Sequence, residues 1–192
     1  MATKDEMRQA ILEAAQSLFT RYGPVKTSVA DIARTLGMSP ANIYNFYPSR
    51  DAILEAVGTQ NLIALRREIT EEIARTTGDW ARIAILFIST ARHLRDKLEN
   101  EKDILQLQAL ATKNRWGFVE EFHAFLRQTA EIVLREAIDA RRLNHEDPQA
   151  AVVVLFDCMI TALDPVLLLQ STRDDHLERI NAQLELLGRA FK

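Results

Sequence analysis

Cysteine occurs once in this 192-residue chain, at position 158, so no disulfide can close within it, and no Cys/His cluster has the spacing of a zinc site. Glycine and proline are scarce, six and five residues, roughly half the usual share. A many-stranded sandwich or barrel needs more turn residues than that, which leaves a helical chain as the expectation. Neither sign of charge dominates: 24 basic against 27 acidic side chains give a formal net charge of −3, which excludes a polycation that coats nucleic acid indiscriminately. Any such contact must be local. The first ten residues mix both charge signs and lack the apolar stretch of an export signal, so a cytoplasmic location is expected. An apolar share of 47% against 27% charged residues excludes disorder and supplies a core.

Only one run, residues 150–169, is apolar over about the length of a membrane span. Asp157, Asp164 and Pro165 interrupt it, so no membrane partner is expected. The run instead reads as a helix surrounded by other helices. Behind it, Leu177, Ile180, Leu184, Leu187 and Phe191 recur at alternating spacings of three and four, the seam of a helix packed along another. Helices near 149–170 and 173–191 are therefore expected to form half of a four-helix homodimer interface, with closure of the chain's own core as the competing reading. Cys158, without basic neighbours, reads as a small buried hydrophobe before a redox sensor.

Punctuation is concentrated early: Gly23, Pro24, Gly37, Pro40 and Pro48 divide the first fifty residues into short helices. Met7, Ala10, Ile11, Ala14, Leu18 and Phe19 form one apolar stripe that stops at Gly23-Pro24. Within Thr27-Ser28-Val29-Ala30-Asp31 a hydroxyl opens a second helix with a carboxylate three residues on, and Gly37 ends it. Ser39 and Pro40 suit the cap and first position of a third helix running to about Phe46. Pro48 disfavours helix at Tyr47, and Ser49 caps a fourth helix predicted from Arg50 to Thr76 in spite of Gly58. Larger amphipathic helices follow, one carrying Trp80, Phe87 and Leu94, one marked by Ile104, Leu107 and Leu110, and one from Trp116 to about Ala140. His145-Glu146-Asp147-Pro148 breaks the pattern.

The second and third helices, joined by Gly37-Met38-Ser39, have the layout of a helix-turn-helix. Ile43 faces the support helix, while Ala41, Asn42, Tyr44 and Asn45 present short or planar side chains outward. Asn pairs bidentately with adenine, and Ala or a Tyr edge touches a thymine methyl. Thr27, Ser39 and Arg50 lie at helix starts, where phosphates are gripped. Charge adds modest support: from 21 to 50 stand Arg21, Lys26, Arg34 and Arg50 against Asp31 alone.

The segment from Thr27 to Leu54, with its T-x-x-x-x-I-A element, G-M-S turn, I-Y-x-x-Y segment and S-R opening of the fourth helix, closely resembles the DNA-binding head of the tetracycline-repressor (TetR) family. With the first helix the resemblance covers roughly residues 7–57. It implies an all-α protein: a three-helix helix-turn-helix head (1–57) and a larger C-terminal helical bundle (58–192) that dimerises and senses a ligand. It further implies a homodimeric regulator, usually a repressor, that leaves a near-palindromic double-stranded operator when a small-molecule effector binds. Two recognition helices would then enter major grooves about 34 Å apart, with the fourth helix as the lever to the head. By the same resemblance Thr27 and Ser39 correspond to phosphate-contacting hydroxyls, and Pro40, Ala41, Asn42, Tyr44 and Asn45 belong to the recognition helix. Arg50 stands where the family usually has Lys and is expected to reach a phosphate. Tyr47 replaces Phe and is counted among the DNA-binding residues although mostly packed, and Phe46 replaces a His or Tyr.

In the body, Phe87, Trp116, Phe122, Phe125, Phe156 and Met159 are the candidates for a hydrophobic ligand pocket, with Trp80 and Phe118 nearby in sequence. His93, His123, His145 and His176 are too far apart for a metal site, and His93 and His123 read as packed histidines before ligand-binding ones. Glu120-Glu121 and Asp174-Asp175 read as charged faces or caps. No nucleophile, base and acid combine into a catalytic set, so neither an enzyme nor a cofactor is expected. The rival readings are a helical carrier or enzyme with an idle head, and an activator built on the same head.

Overall fold

The structure is a computed structural model that describes residues 3–142, 147–170 and 175–190, among which every regular element is helical. Local caps fix the first four helices. Helix α1 (Lys4–Tyr22) opens on a capping box between Thr3 and Glu6 and closes on Gly23, at φ 87°, whose N–H bonds the Phe19 carbonyl at 2.9 Å. Helix α2 (Val29–Thr35) opens on a second capping box, Ser28 with Asp31. Gly37 ends it at φ 65°: the Met38 N–H reaches the Ala33 carbonyl (2.9 Å) and the Gly37 N–H that of Arg34 (3.2 Å), a Schellman closure that requires a left-handed residue.

Helix α3 (Pro40–Tyr44) is capped by Ser39, which accepts the Asn42 N–H at 3.3 Å. It ends two residues short of the predicted Phe46, because the chain tightens so that the Phe46 and Tyr47 N–H groups both bond the Ile43 carbonyl. Helix α4 (Arg50–Arg75) runs unbroken through Gly58. That glycine is required by packing: a Cβ there would lie 2.5 Å from Cζ of Phe118.

The body continues with α5 (Asp79–Asn100), α6 (Lys102–Lys113), α7 (Gly117–Asp139), α8 (Pro148–Met159), α9 (Pro165–Gln170) and α10 (His176–Ala190). The single helix expected over 150–169 is in fact broken by a 3-10 turn, Ile160–Leu163. Pro165 has no N–H and its ring excludes a helical turn before it, and Asp164 restarts the helix by accepting the Val166 N–H at 2.7 Å. Among the described residues no helix is long and apolar enough to cross a membrane.

Two apolar cores meet along α4. The first gathers Ile11, Ala15, Phe19, Ile32, Ile43, Ile53, Leu54 and Val57, and includes Ile104 and Leu107 from α6. The second runs from Leu65 through Phe87, Leu126, Leu155 and Phe156 to Ile180 and Leu184. Phe87 and Phe156 meet edge to face, centroids 5.5 Å apart.

The last helices correct one expectation, the burial of Cys158. The seam of α10 closes the chain's own core: Ile180 and Leu184 are buried, Leu177 and Leu187 pack beside them, and Gly188 lies against the Trp80 indole of α5. Phe191 lies outside the described residues, as do His145 and Asp174. Cys158 is exposed, because its side of α8 faces away from that core, as do Val153 and Val154.

Candidate nucleic-acid interface and ligand cavity

Recognition helix α3 is pinned by one residue. Ile43 is fully buried in the first core, while Ser39, Pro40, Ala41, Asn42, Tyr44 and Asn45 are exposed. Asn45 donates from Nδ2 to Asn42 Oδ1 at 3.3 Å, which aligns the two amides on one face. Beside this helix lies an open cleft bordered by Lys26, Thr27, Ser28, Pro40, Tyr44 and Arg50, among others.

Three residues expected to touch DNA also hold the head together. Thr27 is 4% exposed and its hydroxyl donates to the Gly23 carbonyl at 2.9 Å, which ties the end of α1 to the start of α2. Tyr47 is likewise buried; its hydroxyl donates to the Arg8 carbonyl at 3.4 Å, and the Arg8 guanidinium lies 4.5 Å from its ring. Burial pushes this phenol's pKa up. Arg50 is half-buried, donating from Nε to the Thr27 carbonyl at 3.0 Å and from its other end to the Pro24 carbonyl. The loop between α1 and α2 has few backbone partners of its own, so these side chains supply them. Lys26 is an exposed cation on the cleft. Arg34 is paired with Asp31 at 2.9 Å, and the Ser28 bonds hold the Asp31 carboxyl below the usual carboxylate range.

A second site lies in the body, where α4, α5, α6 and α7 enclose a narrow cavity of about 50 Å³. Its walls are Leu62, Leu65, Leu94, Phe118, Val119, Phe122, Leu126, Leu163 and Pro165, interrupted by Thr90, His93, Gln108, Thr112 and His123. Of the six predicted pocket residues only Phe122 lines it. Phe87, Phe156 and Met159 are sealed in the second core, at 2% exposure or less, and Phe125 lies under the Arg66 guanidinium at 4.6 Å. Trp116 packs against Phe118, centroids 5.9 Å apart.

The polar wall was the legible signal. Thr90 and His93 on α5, and Gln108 and Thr112 on α6, are polar residues at helical spacing on faces otherwise apolar. Gln108 donates from Nε2 to His93 Nε2 at 3.1 Å. Burial pushes the His93 pKa down to about 4, with Lys97 adding to the fall. Burial and then Arg127 lower His123 as well. Both rings are therefore neutral at pH 7. Among the described residues no group of His, Cys, Asp and Glu is arranged to hold a metal.

The architecture is thus a short helix-turn-helix packed onto a helical body that holds a small cavity. The model of the bacterial regulatory proteins of the tetR family matches residues 11–57. An uncharacterized HTH-type transcriptional regulator of Mycobacterium tuberculosis is 34% identical over 86 residues, 45% of this chain and 43% of that protein. The match thus spans less than half the length of that relative. An HTH-type transcriptional repressor of the same organism is 25% identical over 173 residues, 77% of this chain and 88% of that one. The transcriptional regulator FadR of Bacillus subtilis, solved with stearoyl-CoA, shares the fold at a TM-score of 0.69 and 17% identity, covering 93% of this chain and 96% of its own. The head of this chain, residues 11–57, is thus similar to that of the tetR family of bacterial regulatory proteins.

Proposed function

We propose that this chain is a ligand-responsive transcriptional repressor that binds a near-palindromic DNA operator as a homodimer in the cytoplasm. Residues 1–57 read DNA, and residues 58–192 dimerise and hold the effector. The observation that carries this reading is α3, a short helix anchored by Ile43 alone, with Ala41, Asn42, Tyr44 and Asn45 all exposed on its outer side. Ser39 and Lys26 flank it as phosphate contacts, and Thr27, Tyr47 and Arg50 shape the head beneath. The relative named as a repressor favours repression over activation. For dimerisation the support is the apolar surface left on α8 and α10, where Val153, Val154 and Leu186 are 58, 53 and 70% exposed. Ligand and DNA are coupled by differential affinity: an effector that favours the wrongly spaced pair of heads draws the population off the operator.

The test is selection of bound duplexes from a random library with purified protein at about 150 mM salt, where non-specific phosphate binding is weakened. Enrichment of a near-palindrome is expected. A folded dimer that enriches no sequence, with or without small-molecule extracts added, overturns the reading and leaves a carrier with an idle head.

A further inference from the structure

The cavity's polar groups are unequal in kind. The Thr90 hydroxyl donates to the Leu86 carbonyl at 2.7 Å and the Thr112 hydroxyl to the Gln108 carbonyl at 3.0 Å, so both turn only lone pairs to the cavity. Gln108 is 6% exposed; its amide nitrogen is spent on His93, and its Oε1 is buried without any donor. An orphaned buried carbonyl costs about 1–3 kcal/mol, so a buried acceptor in a cavity wall is a standing demand for a donor. No Asp, Glu, Lys or Arg stands among the described lining residues, so an ion placed there would be desolvated without a counter-charge.

We propose that the cavity takes a neutral, mostly apolar molecule carrying a hydroxyl or N–H donor, and that Gln108 selects for that donor through Oε1. The proposal rests on the reading of the cavity as the effector site. The narrow space favours a slender ligand, or one that moves Leu62 and Leu65 aside as it enters.

Isothermal titration of the full chain at pH 7.5 with four congeners tests this: hexan-1-ol, its isomer 1-methoxypentane, hexylammonium and hexanoate. Hexan-1-ol is expected to bind saturably and about tenfold more tightly than the ether, which has no donor. The two ions are expected to bind at least about a hundredfold more weakly. In Gln108→Met the alcohol should lose its advantage while ether binding persists, which shows that the cavity is still formed. Equal binding of alcohol and ether, binding of either ion as tightly as the alcohol, an alcohol preference that survives Gln108→Met, or no saturable binding overturns the proposal. Because the titration contains no DNA, its failure is separate from that of the regulator reading: an enriched operator with no alcohol binding sinks only the ligand class, and alcohol binding with no enriched operator sinks only the regulator.

Discussion

Gly58→Ala is expected to destabilise the protein, against the preference of a helix interior for alanine, which favours the substitution by about 1 kcal/mol. The opposing quantity is steric. The new Cβ would lie 2.5 Å from Cζ of Phe118 and 3.1 Å from each of its Cε atoms. Apolar carbons need roughly 3.5–4 Å, so the ring must withdraw by about 1 Å. Phe118 is 6% exposed and bounded by α4 and Trp116, so it withdraws into the cavity. Overpacking of this kind costs about 1–3 kcal/mol, which leaves a net loss near 1 kcal/mol after the propensity gain is subtracted. With Phe118→Ala already in place the obstacle is gone, and Gly58→Ala should then stabilise by about 1 kcal/mol. The double-mutant cycle thus carries a coupling of about 2 kcal/mol with a reversal of sign. Urea denaturation of the four proteins at one fixed protein concentration, followed by circular dichroism, measures it. Stabilisation of similar size in both backgrounds would refute the close approach of α4 to Phe118.

Asn42→Ala is expected to relax preference at one base pair of each half-site by about 1–3 kcal/mol, while Lys26→Ala weakens all duplexes alike and makes the salt dependence shallower by about one unit of slope; anisotropy titrations on the selected operator between 50 and 200 mM salt, roughly, distinguish them. Arg141, at φ 56°, sits at the left-handed position after α7, so Arg141→Gly should stabilise by up to about 1 kcal/mol, and Gly37→Ala, at φ 65° in open space, should destabilise by about 1–2 kcal/mol in thermal melts. Arg50→Ala should lower the melting temperature of the DNA-free protein, because it strips the carbonyls of Pro24 and Thr27 of a charged donor. His93 is held neutral in the fold, with its pKa near 4 against 6.5 unfolded, so stability is full above pH 6.5 and falls as pH drops toward 4 while the unfolded chain takes up the proton. Burial and Lys97 set that direction against Asp96 and Glu101, and His93→Gln should flatten the pH 6.5–5 limb of a stability profile.

Helix ends in the head were legible because caps act within three residues. Ser28 with Asp31, Gly37, Ser39 with Pro40, and Ser49 each announce a boundary that no distant contact has to complete. The roles of Thr27 and Arg50 were not legible, since both are decided by carbonyls that only tertiary folding brings near: Gly23 for the first, Pro24 and Thr27 for the second. A leucine seam such as that of α10 has the same period whether its partner is α5 of its own chain or a second copy, so spacing alone does not choose. The cavity was misread for a related reason. Of the residues expected at its walls only Phe122 reaches the cavity, while Phe87, Phe156 and Met159 pack into the second core. Buried polar residues carry that signal better, because Thr90, His93 and Gln108 would not pay for desolvation on an apolar face without something to bond.

In the proposed regulator the lever between cavity and head is double. The sequence singled out α4, and indeed Val57 belongs to the first core while Leu62 and Leu65 line the cavity a few residues on. Helix α6 joins the same two places over a shorter span: Ile104 and Leu107 have no exposed surface inside the first core, and Gln108, the next residue, stands in the cavity wall. Packed interiors do not absorb displacement by compressing. A ligand larger than the present 50 Å³ therefore moves wall side chains or the helices that carry them, and a shift of α4 or α6 would be felt in the core where Ile43 sits. The energies are of matching size. Opening a further ~100 Å³ costs about 2.4 kcal/mol at about 24 cal/mol per Å³, whereas weakening a DNA complex about a hundredfold needs a differential of about 2.7 kcal/mol. In the proposed regulator, a closed cavity and a DNA-competent head are thus two descriptions of one packing state, and the ligand's work is to make the open alternative the cheaper one.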